Sequence, residues 1–170
     1  MNSINFNQPV NNLPTGILNL ILGYSFNCKV DNLPHSLIYL TFGCKFNQPI
    51  NNLPPVLTEL VLGSNKINYS MENLPSNIES IEFYQNNFEC RLQYLPPKLK
   101  EIKFYYYSKF NEPLNNLPDT IEHIKLSKYY TQEINKFPIN LKSLSCVENY
   151  PWINKLKELY QFQIYIYKLI

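Results

Sequence analysis

Seven prolines recur at nearly constant intervals, and this spacing constrains the fold more than any other feature of the chain. They are Pro14, Pro34, Pro54, Pro75, Pro96, Pro118 and Pro138, separated by 20, 20, 21, 21, 22 and 20 residues. The residues that precede them are Leu13, Leu33, Leu53, Leu74, Leu95, Leu117 and Phe137. Each unit therefore has a large apolar residue followed by a rigid turn. Self-similarity at a period of about 20 residues indicates a solenoid of stacked repeats.

Apolar residues occupy fixed places after each proline, and those of the first two rows are all aliphatic. Three residues after it lie Ile17, Leu37, Leu57, Ile78, Leu99, Ile121 and Leu141. Six residues after it lie Leu20, Leu40, Leu60, Ile81, Ile102, Ile124 and Leu144. Eight residues after it lie Leu22, Phe42, Leu62, Phe83, Phe104, Leu126 and Cys146. The residues six and eight places after the proline are apolar and are separated by one residue. This alternation predicts one short β-strand in every unit.

A second anchor, nearly always aromatic, follows each predicted strand. The anchors are Phe6, Phe26, Phe46, Ile67, Phe88, Phe110, Tyr130 and, closing the series, Tyr150. A unit of about 20 residues cannot bury such anchors alone, so neighbouring units must stack. Further prolines in the turns disfavour a long helix on the convex side. We predict a mainly β, leucine-rich-repeat-like solenoid over residues 1–150, with about seven units of 20–22 residues, one parallel strand each, and a C-terminal capping segment over residues 151–170.

Two rows of asparagine accompany the apolar rows. One stands two residues before the proline (Asn12, Asn32, Asn52, Asn73 and Asn116), and the other follows the second anchor (Asn7, Asn27, Asn47, Asn68 and Asn111). Asparagine side chains can satisfy backbone groups in turns, so we interpret both rows as structural rather than as ligand contacts.

The segment Phe46 to Pro54, which reads Phe-Asn-Gln-Pro-Ile-Asn-Asn-Leu-Pro, resembles the FNIP repeat. The resemblance covers about residues 4 to 150, and the units that begin at Phe6, Phe26, Phe46 and Phe110 carry it best. FNIP repeats are leucine-rich-repeat relatives found in social amoebae and in giant viruses that infect amoebae. They often follow an F-box, which recruits ubiquitin-ligase machinery while the repeats hold a substrate. The resemblance implies a recognition module, and because the repeats begin so close to Met1 we expect no F-box in this chain.

Composition excludes several classes of function. The 15 basic and 13 acidic side chains give no clustered positive charge, so we expect no nucleic-acid binding. No apolar run of about 18 residues predicts a membrane helix, and no secretory signal precedes the repeats, so we expect a cytoplasmic protein, in the host cytoplasm if it is viral. Four cysteines without a CxxC pair and two histidines make a zinc site or a disulfide framework improbable. We therefore expect no metal and no cofactor.

The residues five, seven and nine places after each proline should face the concave side. In the N-terminal units they form a small, flat, partly apolar surface, whereas the C-terminal units combine tyrosine with mixed charge, which suits a protein contact. The candidate partner-binding residues are Tyr84, Glu101, Lys103, Tyr105, His123 and Lys125. The alternative is a solvated surface in which Glu79, Lys100, Glu122 and Lys142 form cross-strand ion pairs.

Other functions stay open at this point. The predicted strand near residues 17–22 lacks a cap and could pair with a second copy of the chain. The protein could also be a nonfunctional remnant of a longer F-box protein. His123 near Glu101 and Lys103 is the only constellation that suggests catalysis, and because we find no nucleophile beside it, we predict that the protein is not an enzyme. Residues 155–170 fit both a helix and a strand.

Overall fold

One parallel β-sheet runs through the molecule in the order of the chain. The computed structural model describes residues 5–63, 71–84, 92 and 94–167. Its strands are β1 (Asn19–Ile21), β2 (Tyr39–Phe42), β3 (Glu59–Leu62), β4 (Ser80–Phe83), β5 (Glu101–Phe104), β6 (His123–Lys125), β7 (Ser143–Val147) and β8 (Gln163–Tyr167), with one helix, α1 (Ile153–Leu159), between the last two. Each strand pairs with the next in the sequence, from β1 to β8. The predicted leucine-rich-repeat-like solenoid is confirmed.

The register of the sheet follows the repeat period. Leu40 pairs with Leu20 on one side and with Leu60 on the other, and the same row continues through Ile81, Ile102, Ile124 and Leu144. From Leu40 onward these side chains are at most 1% exposed. Because residues one unit apart become neighbours, each row of the sequence becomes a continuous line of side chains in the structure.

A tight turn at each proline directs the chain into the core. In all seven units the backbone N–H three residues after the proline donates to the carbonyl oxygen of that proline, at 3.1 to 3.4 Å. The turn places the next aliphatic side chain inside the solenoid, where Leu37, Leu57, Ile78, Leu99 and Ile121 are fully buried. Burial of each such side chain contributes roughly 1.5 to 3 kcal/mol.

The second anchors form a stack of aromatic rings. The ring centroids of Phe6 and Phe26 lie 6.2 Å apart and those of Phe26 and Phe46 lie 6.1 Å apart, with nearly parallel planes. A second group of anchors has Phe110 stacked on Tyr130 at 6.1 Å and Tyr130 in a tilted contact with Tyr150 at 6.1 Å. Tyr150 is 2% exposed and so closes the row. The predicted anchors Ile67 and Phe88 lie outside the described residues.

Asparagines of one row bond to the backbone of the next unit. The amide N–H of Asn27 donates to Oδ1 of Asn7 at 2.9 Å, and the amide N–H of Asn47 donates to Oδ1 of Asn27 at 2.8 Å. Asn111 accepts from the backbone of Thr131 in the same way, at 2.8 Å. These bonds agree with a structural role for this row, of which Asn68 lies outside the described residues. The row before the prolines is exposed, and there Nδ2 of Asn52 donates to Oδ1 of Asp31 at 3.4 Å.

The C-terminal segment contains both structures that its sequence suggests, one after the other. Helix α1 buries Ile153 and Leu156 against the core, and β8 then pairs with β7 through Leu144 and Ile164. The phenol of Tyr167 donates to the carbonyl oxygen of Leu126. Within the described ranges the sheet thus has eight strands, one more than the seven proline-marked units, because this segment adds a strand of its own.

Cysteine thiols are free in the described part of the chain, at Cys28, Cys44 and Cys146, whereas Cys90 lies outside it. The described residues contain no cluster of three or more side chains suited to a metal ion. None of their helices has the length and apolar character needed to cross a membrane.

Candidate interaction surface

Three rows of side chains alternate with the buried rows and lie on the face of the sheet opposite the core, which we call the concave face. Glu82 of β4 pairs in register with Lys103 of β5, and Lys103 pairs with Lys125 of β6. Glu101 pairs with His123 in the parallel row. Burial alternates along β4 and β5, so the core residues and the concave residues lie on opposite faces. The register therefore brings four of the six predicted residues together on adjacent positions of two strands.

Tyr84 and Tyr105, which directly follow β4 and β5, form a ring stack at the edge of this surface. Their ring centroids are 4.4 Å apart and the planes differ by 14°. Tyr107 extends the aromatic group with a tilted contact to Tyr105 at 6.0 Å. Tyr84 is 42% exposed and Tyr107 is 49% exposed. Large aromatic area with polar hydroxyl tips is typical of the anchors of protein interfaces.

The charged residues of the surface are partly paired. Nζ of Lys103 lies 2.8 Å from Oε2 of Glu101, and Oγ of Ser80 donates to the same carboxylate oxygen at 3.1 Å. Lys125 is exposed and has no ion pair among the described residues. The two lysines therefore differ, because Lys103 is held by a neighbour and Lys125 is available to a partner.

Glu82 lies in the middle of the concave face and is half-buried. Burial raises the pKa of its carboxyl group, and the positive charges of Lys103 and Lys125 oppose that rise. Burial also raises the pKa of the neighbouring Tyr84 phenol, and the charge of Glu82 adds to the rise. The two groups thus lie within electrostatic range of each other on a face that is partly shielded from water.

His123 has a neighbour that the sequence analysis missed. Its Nδ1 lies 2.7 Å from Oγ of Ser143, and its Nε2 lies 4.0 Å from a carboxylate oxygen of Glu122. Ser143 is 8% exposed and occupies the same register position on β7 as His123 does on β6. The proline-based alignment contained this neighbour, since both residues stand five places after a proline. The contact orients the imidazole within its row of the sheet, and it corrects the expectation that no side chain of a nucleophilic type lies beside His123.

Ion pairs form beside the concave face, as the alternative interpretation of the sequence predicted. Nζ of Lys100 lies 2.9 Å from Oε2 of Glu79, and Nζ of Lys142 lies 2.5 Å from Oε2 of Glu122. Both lysine side chains are about half exposed or more. These pairs lie in the row next to Glu101 and His123, so they border the tyrosine and mixed-charge surface without replacing it.

Toward the N-terminal end, the concave face contains an open apolar groove, in the region that the sequence analysis described as small, flat and partly apolar. The groove has a volume of about 370 Å³. Its lining includes Ile21, Tyr24, Tyr39, Val61 and Tyr84, with Gly23, Gly43 and Gly63 along one line. The three glycines stand nine places after their prolines, where later units have Tyr84 and Tyr105. That change from glycine to tyrosine was the sequence signal for a depression.

Comparison with known proteins identifies the repeat. Residues 6–45 match the FNIP Repeat. The resemblance stated from the sequence is confirmed over these FNIP residues, which include β1 and β2. The later units keep the same register in the sheet. No curated protein is similar enough in sequence to count as a match.

One similar solved structure is a giant-virus protein described as "The crystal structure of CroV588 a novel circular LRR protein structure". The two chains are 28% identical, with a TM-score of 0.46. The alignment covers 84% of this chain and 29% of the other. This chain thus spans less than a third of the length of that protein.

Proposed function

We propose that the protein is an interaction module that binds another protein on the concave face of β4 to β6. The contact residues are Tyr84, Glu101, Lys103, Tyr105, His123 and Lys125. Repeat solenoids generally serve as binding surfaces rather than as enzymes, and the stacked units give this one an extended face. The FNIP match and the solenoid fold support this general role.

The exposed stack of Tyr84 on Tyr105 is the observation that carries the proposal. A partner that covers these rings removes aromatic area from water, at roughly 25 cal/mol per Å². The row from Glu82 through Lys103 to Lys125 supplies charges of both signs beside the rings. Such a surface favours a partner with complementary polar groups around an apolar centre.

A nucleic-acid partner is disfavoured by the same charges. Lys103 is engaged by Glu101 at 2.8 Å, and Glu82 and Glu101 place carboxylates within the lysine row. A phosphate backbone requires a track of available cations, which this row does not provide. We also place the protein in the cytoplasm, and we infer from the FNIP resemblance that it holds a substrate for ubiquitin-ligase components.

Affinity capture followed by mass spectrometry tests the proposal. The tagged protein is compared with a Lys103→Ala, Tyr105→Ala variant and with a Glu148→Ala, Asn149→Ala variant, which changes two exposed residues after β7. Circular dichroism confirms that all three are folded. We expect a protein that is captured by the wild type and the second variant and lost from the first. Equal capture by all three would contradict the placement of the site.

Self-association through β1 is a second candidate, supported by the exposure of that strand. Leu18 is 51% exposed and Ile21 is 56% exposed, and the outer edge of β1 has no strand partner among the described residues. Unpaired strand edges favour pairing between chains. Sedimentation equilibrium at high concentration should then show a dimer that Leu18→Lys dissociates, whereas a monomer at every concentration would remove this candidate.

A further inference from the structure

The first and last strands of the sheet each have one edge that no described strand covers. Strand β1 pairs with β2 and β8 pairs with β7. The core row that is at most 1% exposed from Leu40 to Leu144 ends in two partly buried members, Leu20 on β1 and Ile164 on β8. A strand edge of this kind favours the addition of a further strand.

Neither edge has the charged side chains that usually prevent strands of different molecules from pairing. Residues 1–28 contain no charged side chain, and neither do residues 159–167. Neither β1 nor β8 contains a proline. Natural sheets protect their edges with lysine, proline or inward-pointing charges, so these two edges are open to association.

The outer edge of β8 presents a definite set of backbone groups. Successive residues of a strand direct their N–H and C=O groups to opposite neighbours in the sheet. The N–H of Gln163 donates to the carbonyl oxygen of Lys142 at 2.9 Å, so the backbone groups of Gln163 face β7. Those of Ile164 and Ile166 alternate with them and therefore point away from β7.

The outer edge of β1 presents the complementary set. The N–H of Leu22 donates to the carbonyl oxygen of Thr41 at 2.9 Å, so the backbone groups of Leu22 face β2. Those of Asn19 and Ile21 alternate with them and point away from β2. A strand with the alternation of β8 can therefore bond to β1 in the register that joins successive units.

The side chains at the two ends are complementary as well. Within a complete unit the aromatic anchor packs under its own strand, as Phe46 does under Phe42, with ring centroids 3.9 Å apart. Phe6 holds the place of this anchor before β1, but no described strand lies over it and it is 38% exposed. Ile166, which pairs with Cys146 in the row of Phe42, is 39% exposed on β8. Each end therefore exposes the group that the other end lacks.

We propose that copies of the protein associate head to tail, with β8 of one copy added to the outer edge of β1 of the next. Ile164 of the first copy then lies beside Leu20 of the second. Ile166 covers Phe6 of the second copy. Because two different surfaces meet, assembly can continue beyond a dimer. The inference rests on the self-association candidate above, and it names β8, rather than a second β1, as the strand that pairs with β1.

Proline substitution at the two edges tests the inference, because proline removes one backbone N–H. Ile21→Pro and Ile166→Pro each remove a donor that points away from the sheet, and Ile21→Val and Ile166→Val keep it. Circular dichroism confirms that all are folded. In sedimentation velocity, the average mass of the wild type and of the valine variants should rise past that of a dimer with concentration, whereas each proline variant should stay monomeric. Assembly of Ile166→Pro like the wild type would overturn the inference.

A mixture of the two proline variants distinguishes head-to-tail from symmetric association. Ile21→Pro keeps an intact β8 edge and Ile166→Pro keeps an intact β1 edge. An equal mixture should therefore form a dimer of one copy of each and grow no further. Pairing of two β1 edges predicts instead that Ile166→Pro dimerises alone, and that result would overturn the inference while leaving the self-association candidate in place.

Disulfide trapping gives a test that does not depend on proline. The proposed register places the exposed Asn19 of one copy beside the exposed Gln163 of the next. Neighbouring strands lie about 4.8 Å apart, which is within the Cα separation of a disulfide. Oxidation of Asn19→Cys mixed with Gln163→Cys should give a crosslinked heterodimer, whereas Asn19→Cys mixed with Glu148→Cys should give no more than the wild type. Crosslinking of Asn19→Cys mainly to itself would contradict the inference.

The outcome is separable from the function proposed for the concave face. If the wild type is a monomer at every concentration while partner capture depends on Lys103 and Tyr105, the inference fails and the proposed function stands. If the wild type assembles head to tail while capture ignores Lys103 and Tyr105, the inference is supported and the contact residues of the proposed function are wrong.

Discussion

The units of β1 to β3 and those of β4 to β6 share one register and one core, yet they present different concave surfaces. Strand β3 is followed by Gly63 and strand β4 by Tyr84, at the same position of the repeat. The first group forms an apolar groove, and the second forms a tyrosine stack beside charged side chains. A solenoid therefore keeps its fold in the inward rows and varies its recognition chemistry in the outward rows.

The largest effect should come from the aromatic anchors, of which Phe26 lies in the first group of units and Phe110 in the second. Phe26→Ala and Phe110→Ala each remove a ring that is at most 1% exposed, so each should lower the free energy of unfolding by about 3 to 5 kcal/mol. Phe6→Ala, at the 38% exposed end of the stack, should cost about 1 kcal/mol. Urea unfolding measures all three. A gap above about 2 kcal/mol between the two buried variants would show that the cores differ as well as the surfaces.

Substitution of a glycine that lines the groove should destabilise the protein nearly as much. This position distinguishes the two surfaces directly, because it is glycine in the units of β1 to β3 and tyrosine after β4 and β5. Gly43→Ala forces a Cβ against the carbonyl oxygen of Gly23, so we expect a loss of about 1 to 3 kcal/mol in thermal unfolding. Gly16→Ala is the matched control because no heavy atom lies within 4 Å of its Cβ. It should be neutral or stabilise by about 0.4 to 1 kcal/mol. Equal effects of the two substitutions would mean that the turns do not approach as closely as described.

A smaller effect on stability, which depends on pH, should come from the buried Cys146. Burial raises the pKa of the Cys146 thiol from 9.0 to about 11, because the thiolate is poorly solvated inside the sheet. The unfolded chain releases this proton near pH 9, so the contribution of the neutral thiol to stability is complete below that pH and is lost as the pH rises through about 11.

A Cys146→Ala variant should therefore lose less stability than the wild type between pH 9 and 11, by about 1 to 2 kcal/mol. Guanidinium unfolding at stepped pH provides the comparison between the variant and the wild type. Parallel pH profiles for Cys146→Ala and the wild type would contradict burial of this thiol.

The smallest effect should come from the charged row. Lys103→Ala removes an ion pair with Glu101 whose side chains are 27% and 35% exposed, and such pairs contribute less than about 1 kcal/mol to stability. Added salt should change the difference between the unfolding midpoints of the variant and the wild type very little. A loss of several kcal/mol would assign Lys103 to the architecture and would weaken its assignment to binding.

The fold could be predicted almost entirely, because the period of the prolines sets the register. Once Leu20, Leu40 and Leu60 are aligned, the strand, the buried face and the parallel order follow. The C-terminal segment was only partly predictable, since Leu156 fits a helical period and Phe162 and Ile164 fit a strand. Both periods are real and occur in succession, and packing against β7 fixes where one ends and the other begins.

The candidate surface was less predictable than the fold. Alignment of the repeats shows which residues are neighbours, but it does not show how deep the surface is between them. It placed Glu101 beside His123 and Lys103 beside Lys125, as the register shows. It did not give the pairing of Lys103 with Glu101 or the contact between His123 and Ser143, which depend on rotamers. It also missed the groove, since the depth above Gly43 depends on how closely two turns approach.

Site-specific photo-crosslinking tests the central claim that the concave face is the interaction surface. A benzophenone side chain is placed at position 105 on the concave face and, in a second protein, at position 139 in the turn before β7, where Ile139 is 82% exposed. In a lysate that contains the captured partner, the account predicts a discrete covalent adduct from position 105 and none from position 139. An adduct formed from position 139 alone would contradict it.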